Sequence, residues 1–431
     1  MKYRILLTYT LSLIISQKIF AQDSLTIEQV VQQTLRNHPA IVQAEHRTEA
    51  TEARALESET AKLPTASVQA SYTRLEPASG IAFPGLGDFN LYPLNNYDVH
   101  IGGEYTIYDF GKADATISAS RSNVQTAQDA VELTKTDLAY NAIHTFYTIL
   151  FLQQSIQVAN DQIDALNQHL TITNEKVTTG TATNFDVLTT QVRVGAAQDR
   201  KVELESALHQ QQTLLHQLLG VPDGKDIPLR GDFAMTSVAL NVDSLTEQAF
   251  LHRTELKAAK DAEQSAELQY KMSSFGNSPS LKVDALYGFK NGFFPDIDVL
   301  RGNLVASLSL QVPVFDGGRT SHQEEETHAD MLAEQAHIKN IERQIRADVE
   351  RSADDIKTAL DKYQIANVQV QQATDAVTIA RKLFETGSVT NIDLLDAETA
   401  EAEAKLARLR VLFTYVMGQY ELKQSIGSAW F

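Results

Sequence analysis

Two long helix-compatible segments in matching positions constrain the fold more than any other feature of this chain. Residues 112–179 and 319–386 each span 68 residues without a single Gly or Pro. A segment free of both main helix breakers predicts one continuous helix. At 1.5 Å per residue, such a helix would extend roughly 100 Å, well beyond an ordinary globular domain. The sequence therefore predicts an elongated molecule.

Both segments belong to a duplication with an offset of 207 residues. The motif YDFGK at 108–112 recurs as FDGGR at 315–319. The motif GTATNFDVL at 180–188 recurs as GSVTNIDLL at 387–395. Self-similarity at a fixed offset indicates two copies of one structural unit.

The repeats define the predicted organisation of the chain. We place the first repeat at 22–220, a linker at 221–239 and the second repeat at 240–431. Each repeat is expected to contain, in order, a helix, two strands, the long helix and a shorter helix. The opening helix of the first repeat is predicted over 26–62, where Pro64 ends it.

The N-terminus has the plan of a secretory signal peptide, which we predict at 1–21. Lys2 and Arg4 precede an apolar run from Ile5 to Ile15, and Ala21 supplies a small residue at the cleavage site. The run is too short for an ordinary membrane-spanning helix. The mature chain is expected to have no transmembrane helix.

Four segments alternate between apolar and polar residues, which predicts strands at 65–75, 97–108, 279–290 and 302–313. A half-buried sheet of a soluble sandwich would show the same alternation. Four strands in two separate hairpins make a poor sandwich, however, and each has the length of a tilted transmembrane strand. Aromatic residues at the apolar face or its ends favour the membrane interpretation. These are Tyr72, Tyr97, Tyr105, Tyr287 and Phe289.

Apolar residues in the long helices recur every three or four positions. One seam runs through Leu152, Ala159 and Leu166. The positions 207 residues later form an equivalent seam in the second long helix, in the same register. This heptad spacing predicts side-by-side helix packing. An ordinary coiled coil would explain the helices but not the strands.

Composition excludes several classes of protein. The chain has no Cys, so thiol catalysis and disulfides are excluded. Without the predicted signal peptide, 34 basic residues face 55 acidic ones, and the resulting net charge of −21 argues against nucleic-acid binding. A solvated surface explains such a charge equally well. The sequence contains no catalytic or cofactor-binding motif, so we expect a protein that is not an enzyme and has no cofactor. His209 and His216 could share a helix face, but two imidazoles make an incomplete metal site. We therefore expect the histidines to lie at the surface.

The combined pattern resembles the TolC-like outer-membrane efflux channel family. The resemblance rests on LTIE at 25–28, NHP at 37–39, the two Gly-containing strand exits and the hairpin motif GSVTNIDLLDAE at 387–398. It implies a mainly α fold with a small β part. Three identical chains would close a twelve-stranded barrel in the outer membrane, and their coiled-coil helices would form an α-barrel in the periplasm.

The resemblance also implies a function and partners. The chain would be the exit duct of a tripartite efflux pump or a type I secretion system. It would work with a periplasmic adaptor protein and an inner-membrane transporter. The hairpin tips at Gly180, Thr181, Gly387 and Ser388 would dock the adaptor. A structural or adhesive periplasmic coiled coil without a pore is the alternative function.

By the same resemblance, Asp393 and Asp396 would line a periplasmic constriction that attracts multivalent cations. Two acids near a helix N-terminus can instead complement the helix dipole, and the first-repeat counterpart Asp186 fits that explanation. Related channels carry a basic residue where this chain has Val389, and a tyrosine where it has Phe384. Closure is therefore expected to involve packing of Phe384 and Phe185.

Overall fold

A computed structural model describes residues 24–77, 80–83, 85, 87–222, 227–235 and 240–430. The predicted signal peptide lies outside these residues. The described chain is mainly helical and contains one four-stranded sheet. Within these ranges, no helix has the length and apolar character needed to cross a membrane.

The helices follow the predicted order. They are α1 Ile27–Asn37, α2 Pro39–Glu59, α3 Lys112–Thr178, α4 Asn184–Leu219, α5 Val242–His252, α6 Thr254–Ser273, α7 Arg319–Glu385 and α8 Asn391–Ser425. A single 3₁₀ turn, Thr60–Lys62, follows α2. Helices α3 and α7 contain 67 residues each, so the prediction of two very long helices is confirmed.

The strands include all four predicted segments. They are β1 Thr65–Arg74, β2 Gly80–Phe83, β3 Gly87–Asn90, β4 Asn95–Tyr108, β5 Ser280–Lys290 and β6 Arg301–Gln311. Strands β1, β4, β5 and β6 form one antiparallel sheet in that order. Strands β2 and β3 pair in a small hairpin that the sequence pattern did not predict.

The register of the four-stranded sheet separates an apolar face from a polar face. Val68 pairs with Ile101, Ile101 with Tyr287, and Tyr287 with Leu304, so one apolar row crosses all four strands. The neighbouring row, on the opposite face, contains Gln69, His100, Gly288 and Asn303. Every residue of β1 is exposed, and so is most of β6. The part of the chain that the structure describes therefore does not cover the apolar face of these outer strands with a core of its own.

The prediction of one helix over 26–62 is wrong, because a break at His38 separates α1 from α2. The backbone of His38 is extended, and its Nδ1 accepts a hydrogen bond from the Ala40 amide at 3.2 Å. Pro39 disfavours helical angles at the preceding residue and has no N–H to donate. A second break at Arg253 separates α5 from α6 without any proline.

The chain divides into two compact units, and each unit has its own buried core. The first consists of the described residues within 24–36, 141–235 and 359–417. Phe146, Leu215 and Tyr415 are among its fully buried side chains. Part of the predicted linker lies in this unit, where the Leu25 amide donates to the Pro228 carbonyl at 2.8 Å.

The second unit consists of the described residues within 37–140, 240–358 and 418–430, and it contains the sheet. Its helical core includes Leu256, Ile345 and Ile356, all of which are fully buried. Gly418 lies against Ile356, since a Cβ at this glycine would come within 3.1 Å of the isoleucine side chain. This close approach explains a glycine inside α8.

The repeated Asp-x-Gly motif starts the two long helices. Asp316 accepts hydrogen bonds from the amide of Gly318 at 3.0 Å and from the amide of Thr320 at 2.9 Å. Asp109 accepts from the amide of Ala113 at 2.7 Å in the same way. Hydrogen bonds from the hydroxyl and the amide of Thr320 lower the pKa of Asp316 to about 2. The aspartates therefore satisfy amides that the first turn of a helix leaves free.

Candidate functional site

The first unit ends in two short hairpins of identical geometry, and these form the candidate site. In the first, Gly180 adopts a positive φ of 78°, and the amide of Thr181 bonds the Lys176 carbonyl at 2.8 Å. In the second, Gly387 has a φ of 75°, and the amide of Ser388 bonds the Leu383 carbonyl at 2.8 Å. This left-handed helix ending favours glycine, which has no Cβ to strain the turn. All four predicted tip residues therefore lie at the turns.

Each hairpin restarts its second helix with a capping box. The Asp186 carboxylate accepts from the Thr183 amide at 2.8 Å, and the Thr183 hydroxyl accepts from the Asp186 amide at 3.3 Å. Asp393 and Thr390 exchange the equivalent bonds at 2.8 Å and 3.3 Å. Hydrogen bonds from Thr390 lower the pKa of Asp393, which stays ionised at neutral pH. Both carboxylates thus make the capping contacts that were the alternative to pore lining.

Asp396 has a partner that the sequence did not suggest. The guanidinium of Arg193 on α4 lies 2.9 Å from its Oδ1, and both side chains remain exposed. The pair joins the first hairpin to the second within one chain. It also offsets the charge of one of the two carboxylates, Asp393 and Asp396, that are predicted to line the constriction. Asp393 has no comparable cation among its described contacts.

The two phenylalanines occupy different environments. Phe384 is 5 % exposed, and its ring lies 4.8 Å from the His169 ring and 4.8 Å from the Lys176 ammonium. Lys176 also donates to the carbonyl of Phe384 at 2.8 Å, which places a cation at the C-terminal end of α7. Phe185 is 66 % exposed on α4. Phe384 is therefore a core residue of one chain, and Phe185 is free to contact another molecule.

A buried amide joins three helices beneath the tips. Nδ2 of Asn391, the first residue of α8, donates to the Asp186 carbonyl at 3.2 Å and to the Thr190 hydroxyl at 3.3 Å. Its Oδ1 lies 2.7 Å from Nε2 of His169 and 3.4 Å from the Thr173 hydroxyl. This polar cluster holds the second hairpin against the first.

The expectation that the histidines lie at the surface is wrong for His169 and His216, which are buried. Sequence reasoning also missed Lys176, Arg193 and Asn391 as contacts between the hairpins. Of these three residues, only Asn391 could have been noticed in the sequence, because it belongs to a repeated TN-x-D motif. Asn184 holds the equivalent position in the first hairpin. Its partners lie about 200 residues away along the chain, where spacing carries no information.

The site has the chemistry of a charged and apolar surface. Its carboxylates are capped or paired, and within the described ranges no three His, Cys, Asp or Glu side chains are grouped to hold a metal ion. The arrangement can hold the helices of the two hairpins together and present charged and apolar side chains to another molecule.

Comparisons with known proteins give the family. The sequence profile described as outer membrane efflux protein matches residues 30–221 and 245–428. The outer membrane protein TolC of Escherichia coli K12 is 20 % identical over 415 residues, which cover 93 % of this chain and 82 % of that protein. The proteases secretion protein PrtF of Dickeya chrysanthemi is 21 % identical over 299 residues, 68 % of this chain and 64 % of that protein.

The fold agrees with that of solved channels. The crystal structure of the Campylobacter jejuni CmeC outer membrane channel superposes with a TM-score of 0.81 at 16 % identity, covering 93 % of this chain and 85 % of that one. The family profile spans most of both halves of the sequence. The chain belongs to the outer membrane efflux protein family.

Proposed function

We propose that this chain is one protomer of a homotrimeric outer-membrane exit duct. Its strands form part of a twelve-stranded barrel in the outer membrane, and its helices extend that barrel into the periplasm. Solutes pass through it passively, with energy supplied by an inner-membrane transporter. The family consists of outer-membrane efflux proteins, and we infer that this member likewise catalyses no reaction.

The exposed four-stranded sheet carries the proposal. One face presents an apolar row that ends in Val68 and Leu304, which are 73 % and 72 % exposed. The other face carries charged and polar residues such as Glu104, Asp284 and Ser307. Lipid on the first face and water on the second account for this division. The outer edges of β1 and β6 require partners in lipid, since no backbone group can stay unpaired there.

Two exposed apolar stripes on the helices of the first unit support lateral association. On α4 the stripe consists of Phe185, Leu188, Val192 and Val202. On α7 it consists of Ile365, Val368, Ile379 and Leu383. We propose that the α4 stripe of one protomer packs on the α7 stripe of the next. Such a head-to-tail contact closes into a ring when the rotations between successive protomers add up to a full turn. The number of three protomers comes from the resemblance to the family.

The hairpin tips are the proposed docking site for a periplasmic adaptor. Gly180, Thr181, Gly387 and Ser388 are all exposed. Because TolC and the secretion protein PrtF are both related to this chain, we propose a tripartite efflux pump or a type I secretion system as its context. The helices and main strands from α1 to α4 occur again in the same order from α5 to α8. This repetition supports two repeats on either side of a linker at 221–239.

We also propose that Asp393 and Asp396 line the periplasmic constriction. Three copies would bring six carboxylates around one axis, and Arg193 would offset those of Asp396. Asp186 would contribute a capping charge, and Phe185 an apolar contact between protomers. Phe384 would support the constriction from inside each protomer, through its contacts with His169 and Lys176.

Fractionation and bilayer recording test the function. We expect a heat-modifiable trimer in detergent-extracted outer membrane that forms conducting pores in planar bilayers. A monomeric protein in the periplasmic fraction, or a membrane trimer without conductance, would favour the structural coiled coil instead. The neighbouring genes would then distinguish an efflux operon from a secretion operon.

A further inference from the structure

An acidic cavity lies between α2, α3 and α6 of the second unit. Its volume is about 560 Å³, which is comparable to the volumes of small-molecule binding sites. Glu45 and Glu49 line it from α2, Asp129 and Glu132 from α3, and Lys257 from α6. Four carboxylates and one ammonium therefore share its walls.

One of these carboxylates, Asp129, is buried and only half satisfied. The residue is 2 % exposed. Its Oδ1 accepts hydrogen bonds from Nζ of Lys257 at 2.7 Å and from Nε2 of Gln125 at 3.3 Å. Its Oδ2 is buried and has no hydrogen-bond partner within the described part of the chain. Buried polar atoms are nearly always paired, so a donor for Oδ2 is missing. Because Asp129 lines the cavity, a ligand bound there can supply that donor.

The cations of the chain do not neutralise this cavity. Lys257 is shared between two carboxylates, since Oδ2 of Asp261 also lies 3.7 Å from its ammonium. Lys135 pairs with Glu132 at 2.8 Å. Glu45 has no ion-pair partner among the residues that the structure describes. The cavity therefore keeps an excess of negative charge, which attracts cations and repels anions.

The size and layout of the cavity favour an organic cation over a metal ion. Nowhere in the described ranges are three His, Cys, Asp or Glu side chains grouped to hold a metal. Glu45 and Glu49 lie one helical turn apart, which corresponds to roughly 6 Å along α2. Carboxylates at such intervals suit amines that are separated by short alkyl chains, and the side chain of Val131 supplies an apolar contact in the same cavity.

We propose that this cavity binds organic cations that carry two or more amine groups. One ammonium donates a hydrogen bond to the Asp129 carboxylate, and another lies near Glu45 and Glu49. The alkyl chain between them contacts Val131. All of these residues belong to the second unit of a single chain, so the site does not depend on the proposed constriction at the hairpins.

Calorimetric titration of the purified full-length protein with spermidine tests the site at neutral pH and low salt. The protein carries Asp393→Asn and Asp396→Asn, so that the proposed constriction does not contribute. We expect one spermidine to bind per chain. Asp129→Asn keeps an acceptor for Lys257 and removes the buried charge, so affinity should fall about tenfold or more. Glu57→Gln removes an equal charge from an exposed position of α2 outside the cavity, and should keep the affinity.

Two further measurements test the arrangement within the cavity. Glu45→Gln combined with Glu49→Gln should weaken spermidine binding about threefold, the effect of exposed charges. Butylamine, which has a single ammonium, should bind far more weakly than spermidine. Lys257→Met leaves Oδ1 of Asp129 without its ammonium, so spermidine should bind more tightly to this variant.

Several results would overturn the proposal. Absence of binding would mean that water or a neighbouring protomer satisfies Oδ2 of Asp129. Equal losses of affinity in Asp129→Asn and Glu57→Gln would indicate unspecific attraction to an acidic protein. Displacement of spermidine by Mg²⁺ beyond the effect of Na⁺ at equal ionic strength would indicate a metal site. If Asp129→Asn does not fold, Lys257→Met decides, because unchanged or weaker binding to it contradicts the assignment. Because the titration does not depend on conductance, failure of the channel function would leave this result intact.

Discussion

Replacing Leu308 by Arg tests the assignment of lipid and lumen faces in β6. Leu308 is 66 % exposed and pairs with Val283 on the apolar face of the sheet. In the proposed barrel, its side chain points into lipid. Ser307, the preceding residue, points to the opposite face, where it lies opposite Asp284. Ser307→Arg is therefore a matched control that differs by one position and by the face of the sheet.

The depth of Leu308 in the membrane sets the free-energy cost that we expect for Leu308→Arg. The centre of Arg301–Gln311 is Ala306, two residues before Leu308. Two residues along a strand tilted by about 40° correspond to roughly 5 Å of depth, so Leu308 lies between the midplane and the interface. An arginine at the midplane costs about 2–4 kcal/mol, and we expect about 2–3 kcal/mol per protomer here. In the Ser307→Arg control, the introduced guanidinium would face water and the Asp284 carboxylate, so we expect little cost.

The assay is the yield of heat-modifiable trimer in the outer-membrane fraction at equal expression. Leu308→Arg should reduce this yield strongly, and Ser307→Arg should leave it near the wild-type level. Equal yields for the two variants would contradict the division into lipid and lumen faces. A larger loss of trimer yield for Ser307→Arg than for Leu308→Arg would reverse the assignment of the two faces.

Three further predictions concern the helical part. Asp393→Asn combined with Asp396→Asn should abolish the block of conductance by trivalent cations in planar bilayers. Arg193→Ala should strengthen that block, because it leaves the Asp396 carboxylate unpaired. An unchanged block in both variants would mean that the constriction lies elsewhere. Gly387→Pro should leave an assembled trimer that no longer supports export, measured by solute efflux and adaptor crosslinking, and normal export would refute docking at this tip. Asp316→Ala should lower the Tm at neutral pH by removing the cap of α7. Because the pKa of Asp316 is lowered from 3.8 to about 2, that difference should be full above pH 4 and disappear as the pH falls through about 2. A Tm difference independent of pH would show that the carboxylate charge is not involved.

Local sequence was sufficient where local chemistry decides the structure. The absence of Gly and Pro predicted both 67-residue helices, because nothing within them interrupts the backbone ladder. The alternation of apolar and polar residues predicted the four strands of the main sheet within about two residues at each end. The Gly-containing hairpin motifs predicted turns that require a positive φ.

Tertiary structure decided the features whose partners are distant in sequence. The break at Arg253 follows no proline; the Arg253 guanidinium binds Asp348 at 3.0 Å, and the turn at Gly427 packs directly against the His252 carbonyl. Helix propensity at Arg253 would allow α5 and α6 to continue, so long-range contacts determine the ending. The same reason applies to Asn391, whose amide is buried by α3 and α4, and to the pairing of Asp396 with Arg193. Periodicity in the sequence shows which face of a helix is apolar. It does not show which neighbour a polar side chain meets, because helix packing brings together residues some 200 positions apart.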